Sequence, residues 1–117
     1  MEPIPYYFDS INRSVLIIRR KKPFYDWLAV MDPNDRNLME ESEHDVYLLP
    51  DFDEVSQMEK WLKKNFDSLF CDQLNNWYTD ENVWPQARNF KMFNEWFDYS
   101  LHTMIYDTQE GKIRKDI

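Results

Sequence analysis

The run from Asp53 to Trp77 constrains this chain more than any other. Its apolar residues Met58, Leu62, Phe66, Leu69, Phe70, Leu74 and Trp77 recur at intervals of three and four. Glu59, Lys60, Lys63, Lys64 and Asp67 fall between them. That spacing predicts a long helix with one apolar stripe. A helix so one-sided must lay its stripe on a second layer. Asp51 or Asp53 is placed to cap it, and Asp51 with Glu54 has capping-box spacing.

The remaining segments supply that layer. Ser14 to Arg20 is β-branched and aliphatic, and reads as a strand buried on both faces or nearly so. Pro23 can open a helix, where its missing N–H costs nothing. Phe24, Trp27, Leu28 and Met31 carry the helix, and Asp32-Pro33 stops it. After a polar loop over 33–45, Val46-Tyr47-Leu48-Leu49 is a second strand, ended by Pro50. Tyr78 to Arg88 is a linker. Asn89 caps a third helix bearing Phe90, Phe93, Trp96 and Phe97, and Leu101 to Asp107 is a third strand. Residues 1–12 read as an extended arm that packs through Tyr6, Tyr7 and Phe8, and 108–117 as a fraying polar tail. The expectation is one α+β domain over residues 1–117, in the order β-α-β-α-α-β. Three strands cannot enclose a core, so three helices should pack mainly on one face of the sheet.

Composition narrows the chemistry. Aromatic residues make up 17% of the chain, enough to build the core from large rings and leave some for the surface. Gly111 is the single glycine, which excludes a phosphate-cradling loop, a nucleophile elbow and a dinucleotide fingerprint. Turns fall to Asn, Asp and Pro instead, as in Asp32-Pro33-Asn34-Asp35 and Asn75-Asn76. Cys71 is the single cysteine, so neither an internal disulfide nor a multi-cysteine zinc site can form. No metal and no cofactor is expected. Met1 to Tyr6 lacks the basic start and apolar run of a signal peptide, which suggests a cytoplasmic protein. The longest aliphatic stretch, Val15 to Ile18, is far too short to span a bilayer.

The net charge of −8 should repel nucleic acids and anionic membranes. The charge is uneven. Arg13, Arg19, Arg20, Lys21 and Lys22 fall within ten residues that contain no acid. Glu40, Glu41, Glu43, Asp45, Asp51, Asp53 and Glu54 form an acidic stretch without Lys or Arg.

Trp84-Pro85-Gln86-Ala87-Arg88, then Phe93, Glu95-Trp96-Phe97, His102 and Tyr106-Asp107, form a pattern of their own. With Asn12-Arg13, Pro23-Phe24 and Trp27-Leu28, they resemble a family of small uncharacterised bacterial proteins common in gut Bacteroidetes. The resemblance runs from about Asn12 to Asp107. It implies a stand-alone bacterial cytosolic domain and no particular activity.

Two groups of residues are candidate sites. Trp84, Arg88, His102 and Tyr106 would line a small-molecule or anion pocket, with Arg88 beside a helix N-terminus and Trp84 as a wall. Against this, an arginine flanked by aromatics commonly locks a loop, here by pairing with Asp80, Glu81 or Asp107. Arg19, Arg20, Lys21 and Lys22 lead into a helix N-terminus and could receive an anion. The favoured reading of the same run is a solvated strand end, where lysines discourage edge pairing.

The other reactive side chains are weaker candidates. Alternation puts His102 and Asp107 on opposite strand faces, which favours a structural histidine over a general base. His44 lies in the acidic loop without a ligand-spaced partner. Cys71 lies off the main stripe beside Asp72, without the positive surroundings of a catalytic thiol. The favoured reading is a non-enzymatic binding or regulatory module. It would meet a basic protein through an aromatic surface and an acidic patch.

Overall fold

Residues 14–20 form the central strand of the sheet, with Leu16 and Ile18 on one face and Val15 and Ile17 on the other. The computed structural model describes residues 7–33 and 44–116. In it, β1 spans Asp9–Ser10, β2 Ser14–Arg20, α1 Lys22–Met31, β3 Asp45–Leu49 and α2 Val55–Asn75. A 3₁₀ turn at Glu81–Val83 follows, then α3 Phe90–Trp96, β4 Phe97–His102 and β5 Tyr106–Asp107. The sheet order is β3-β2-β4, antiparallel throughout, and β1 pairs with β5 in a separate two-stranded ribbon.

Directly opposed residues of an antiparallel pair share a face. One face therefore carries Leu16 and Ile18 of β2, Tyr47 and Leu49 of β3, and Phe97, Tyr99 and Leu101 of β4. The helices cover this face. Phe24 and Leu28 of α1, Met58, Leu62, Leu69, Phe70 and Leu74 of α2, and Phe93 of α3 close over it. The rings meet mostly edge to face or tilted, as Phe70 does with Phe97 at 5.2 Å. The other face carries Val15 and Ile17 between Leu48 and Val46 on one side and His102 and Ser100 on the other. The described core residues of the helices all belong to the first face, although Val15 on the second is itself buried.

Several expectations need correction. The sheet and helices keep the expected order, but two further short strands flank them. The third strand of the sheet is Phe97–His102 rather than Leu101–Asp107, and the chain passes from α3 into it without a loop. Phe97 fits the helical stripe of Phe93, but it equally fits the two-residue period of Phe97, Tyr99 and Leu101. Six cross-strand partners on β2, Val15 to Arg20, decide for the strand.

Helix α2 begins at Val55, and Glu54 takes the cap position expected of Asp51 or Asp53. The Gln57 side chain accepts from the Glu54 backbone N–H at 3.2 Å. Phe66 is half-buried, and Trp77 lies past the helix end, exposed. In the arm, Tyr7 and Phe8 are exposed. Tyr6, the turn residues Asn34 and Asp35, most of the polar loop and Glu40, Glu41 and Glu43 lie outside the described residues. No described helix is long and apolar enough to cross a membrane.

Candidate functional site

Trp84 and Arg88 come together, and both face inward. Trp84 is buried, its indole N–H donating to the Tyr78 carbonyl at 2.7 Å. The Arg88 guanidinium lies 5.9 Å from the centre of the Trp84 ring. It donates through Nη1 to the Pro85 carbonyl at 2.9 Å and through Nε to Asp67 Oδ1 at 2.7 Å. The partner is therefore Asp67 of α2, rather than Asp80, Glu81 or Asp107. The bond to Asp67 holds the Arg88 charge more firmly than usual, against the cost of burial. Between Trp84 and Arg88, Ala87 adopts a left-handed backbone at φ 55°, uncommon for a residue with a side chain. That turn aims Arg88 back at α2.

Cys71 lies against the same pair, its Sγ 3.9 Å from Asp67 Oδ2. Burial and the Asp67 charge push its thiol above the usual range, the reverse of an activated nucleophile.

The basic run is already engaged. Arg19 and Lys21 lie 3.7 and 3.6 Å from Asp98, and Lys22 pairs with Asp26 at 2.9 Å. Arg20 is the most enclosed. Its Nη1 reaches Asp45 Oδ2 and Gln73 Oε1, each at 2.9 Å. Gln73 returns two bonds of 2.8 Å, to Asp45 Oδ2 and the Tyr47 hydroxyl. Tyr47 in turn donates to Asp72 at 2.6 Å. Burial, reinforced by the bond to Asp72, raises the Tyr47 phenol well above the ordinary tyrosine value. Gln73 is fully buried and absent from the sequence reading. A signal existed: it sits four residues after Leu69 and three after Phe70, a polar residue on the apolar stripe.

His102 and Tyr106 stand apart from Trp84 and Arg88. His102 ends β4 opposite Val15, exposed, with its Nε2 2.9 Å from Ser100 Oγ. Tyr106 is in β5, opposite Ser10, also exposed. Among the described contacts, no partner of either residue is also a partner of Trp84 or Arg88. His44 lines a shallow cleft of about 230 Å³ on the uncovered sheet face, with Arg19, Asp98 and Ser100. Among the described residues no group of three His, Cys, Asp or Glu side chains is placed to hold a metal ion.

The terminal ribbon presents the surface that the interior does not. Asp9 stands directly across from Asp107. Both line a cleft of about 370 Å³ with Tyr7, Phe8, Ile11 and Glu110, and among the described residues no Lys or Arg lines it. Like charges opposed across a strand pair repel, and two-residue strands have little to offset it. One backbone bond beyond the strands, from Ile11 N–H to the Ile105 carbonyl at 2.9 Å, helps hold the ribbon. Met104 and Tyr106 add exposed apolar surface nearby in the chain.

Comparison with protein-family models, with curated proteins and with solved structures gives no match. The sequence pattern through Trp84, Arg88, Phe93, Trp96 and Phe97 has a structural meaning all the same. Every one of these side chains packs against the core or ties the linker to α2.

Proposed function

We propose that this chain is a non-enzymatic protein-binding module whose terminal ribbon meets a basic partner. The observation that carries the reading is the facing pair Asp9 and Asp107 beside the exposed rings of Tyr7 and Phe8. A lysine or arginine placed between the two carboxylates relieves their repulsion, while the rings cover its aliphatic stem. Apolar anchors rimmed by charge are the usual make-up of a recognition surface. The acidic–aromatic surface expected from the sequence is thus sought on the ribbon. Asp45 of the 40–54 stretch is already engaged by Arg20.

The alternative pocket of Trp84, Arg88, His102 and Tyr106 is disfavoured, because its two halves have separate partners. The test is capture from the native host extract by the wild type and by an Asp9→Lys, Asp107→Lys variant. A salt-sensitive protein held by the wild type and lost by the folded variant supports the proposal. Equal capture by both overturns it. A small molecule retained by the wild type in native mass spectrometry, and lost on Trp84→Ala, would favour the pocket instead.

A further inference from the structure

We infer that the terminal ribbon is a hinged latch whose closure is set by the charge on Asp9 and Asp107. The ribbon continues the β2–β4 ladder past a break. The last pair of that ladder is Val15 with His102, and the ribbon begins where the Ile11 N–H meets the Ile105 carbonyl at 2.9 Å. Between these points one side has Asn12, Arg13 and Ser14, and the other only Thr103 and Met104. A mismatch of one residue interrupts the cross-strand bonds and bends the chain, as a bulge does. The Arg13 guanidinium stays local, donating through Nη1 to the neighbouring Asn12 carbonyl at 2.8 Å.

Beyond this hinge the ribbon stands off the core. Among the described residues, Ile11, Ile105 and Tyr106 are not among the side chains packed on it. The ribbon can therefore open while the sheet and helices stay as they are. Its strands have two residues each, too short to be stable by themselves. Against that weak ladder stands the repulsion of Asp9 and Asp107, opposed across the pair. Open and closed ribbons thus lie close in free energy, and the charge of one pair is enough to shift them. Screening or neutralising either carboxylate closes the ribbon. A cation held between the two does the same, so under the basic-partner reading binding and closure reinforce each other. The latch is a property of the isolated chain and does not rest on that reading.

The test is amide hydrogen exchange of the full chain, with the Ile11 amide as reporter and Leu16 in β2 as internal reference. Corrected for intrinsic rates, the Ile11 amide should exchange about tenfold or more faster than that of Leu16, because the ribbon opens by itself. Raising salt from about 0.02 to 1 M should slow it roughly two- to fivefold, while Leu16 is unchanged. Asp9→Asn should slow it by a similar factor at low salt and remove the salt response. Asp9→Lys, which sets opposite charges across the ribbon, should slow it further. Asp9 is the position to vary, because Asp107 Oδ1 also accepts from the Gln109 backbone N–H at 2.8 Å. Glu95→Gln, exposed on α3, should leave the Ile11 amide unchanged. If an Asp9 variant fails to fold, the salt response of the wild type decides. An Ile11 amide as protected as Leu16 overturns the hinge. Exchange indifferent to salt and to both Asp9 variants overturns the control by charge.

Discussion

Asp67 on α2 and Arg88 in the linker are 21 positions apart in the chain and joined by a 2.7 Å bond. The guanidinium is mostly enclosed, at 18% exposure, while the carboxylate is at 53%. This asymmetry sets the worth of the pair. An arginine removed here frees a carboxylate that water can still reach, so the heavy penalty of an unpaired buried charge does not apply.

Arg88→Ala should therefore cost about 1–3 kcal/mol in urea denaturation, from the lost bonds and the lost cover over Trp84. Arg88→Lys should recover only part of this, since an ammonium cannot reach Asp67 and the Pro85 carbonyl with the same fork. A fully stable alanine variant would mean that the linker is held without Arg88.

Gln73 links three groups that cannot bond one another in the same way without it. Gln73→Ala should cost about 1–3 kcal/mol, because part-buried groups on Arg20, Asp45 and Tyr47 lose their bonds to the amide. Thermal and urea unfolding of the variant measure it. A loss within error would show that water replaces the amide.

The aromatic core ranks two neighbouring phenylalanines. Phe93 is fully buried between Phe70 and Phe97, and Phe66 is only half-buried. Phe93→Ala should cost about 3–5 kcal/mol and Phe66→Ala clearly less. The reverse order in denaturation would place the stripe of α2 wrongly.

Stability should fall in alkali, with Tyr47 contributing. Its folded pKa is raised, so the folded state keeps a proton that the unfolded chain gives up near pH 10. The stabilisation is complete below that pH and declines as pH rises toward the folded value. Tyr99, raised chiefly by burial, acts in the same direction. Tyr47→Phe should flatten the decline measured by urea midpoints between pH 9 and 11, taken here as a rough window around the free tyrosine value. An unchanged slope would remove Tyr47 from the account.

The chain should not bind duplex DNA or RNA at physiological salt. Its net charge is −8, and Arg19, Arg20, Lys21 and Lys22 all lie beside carboxylates. Fluorescence anisotropy with a labelled duplex checks this. Sub-micromolar affinity that weakens steeply with salt would contradict it.

Much of the local structure was legible in the residues themselves. The stripe from Met58 to Leu74, the caps at Asn89 and the run Ser14–Arg20 depend on neighbours within a few positions, so spacing alone reveals them. The candidate site was less legible. Arg88 was readable as a lock, but its partner was not, because Asp67 looks like any other residue of the polar face of α2. His102 and Tyr106 were grouped with Trp84 and Arg88 as parts of one sequence pattern, and a pattern along the chain does not say which side chains meet.

By itself the sequence determined which stretches have one apolar face, where proline and asparagine interrupt them, and that a glycine-dependent phosphate loop cannot form. These follow from side-chain period and backbone preference, which act locally. The tertiary structure decided where Phe97 leaves the helix, because β2 offers a ladder of partners that a further helical turn cannot match. It decided that Gln73 is buried, because Arg20, Asp45 and Tyr47 meet its amide from two strands. It also decided that Asp9 faces Asp107. That contact joins residues nearly a whole chain apart, and its like charges give no local sign that they will be brought together.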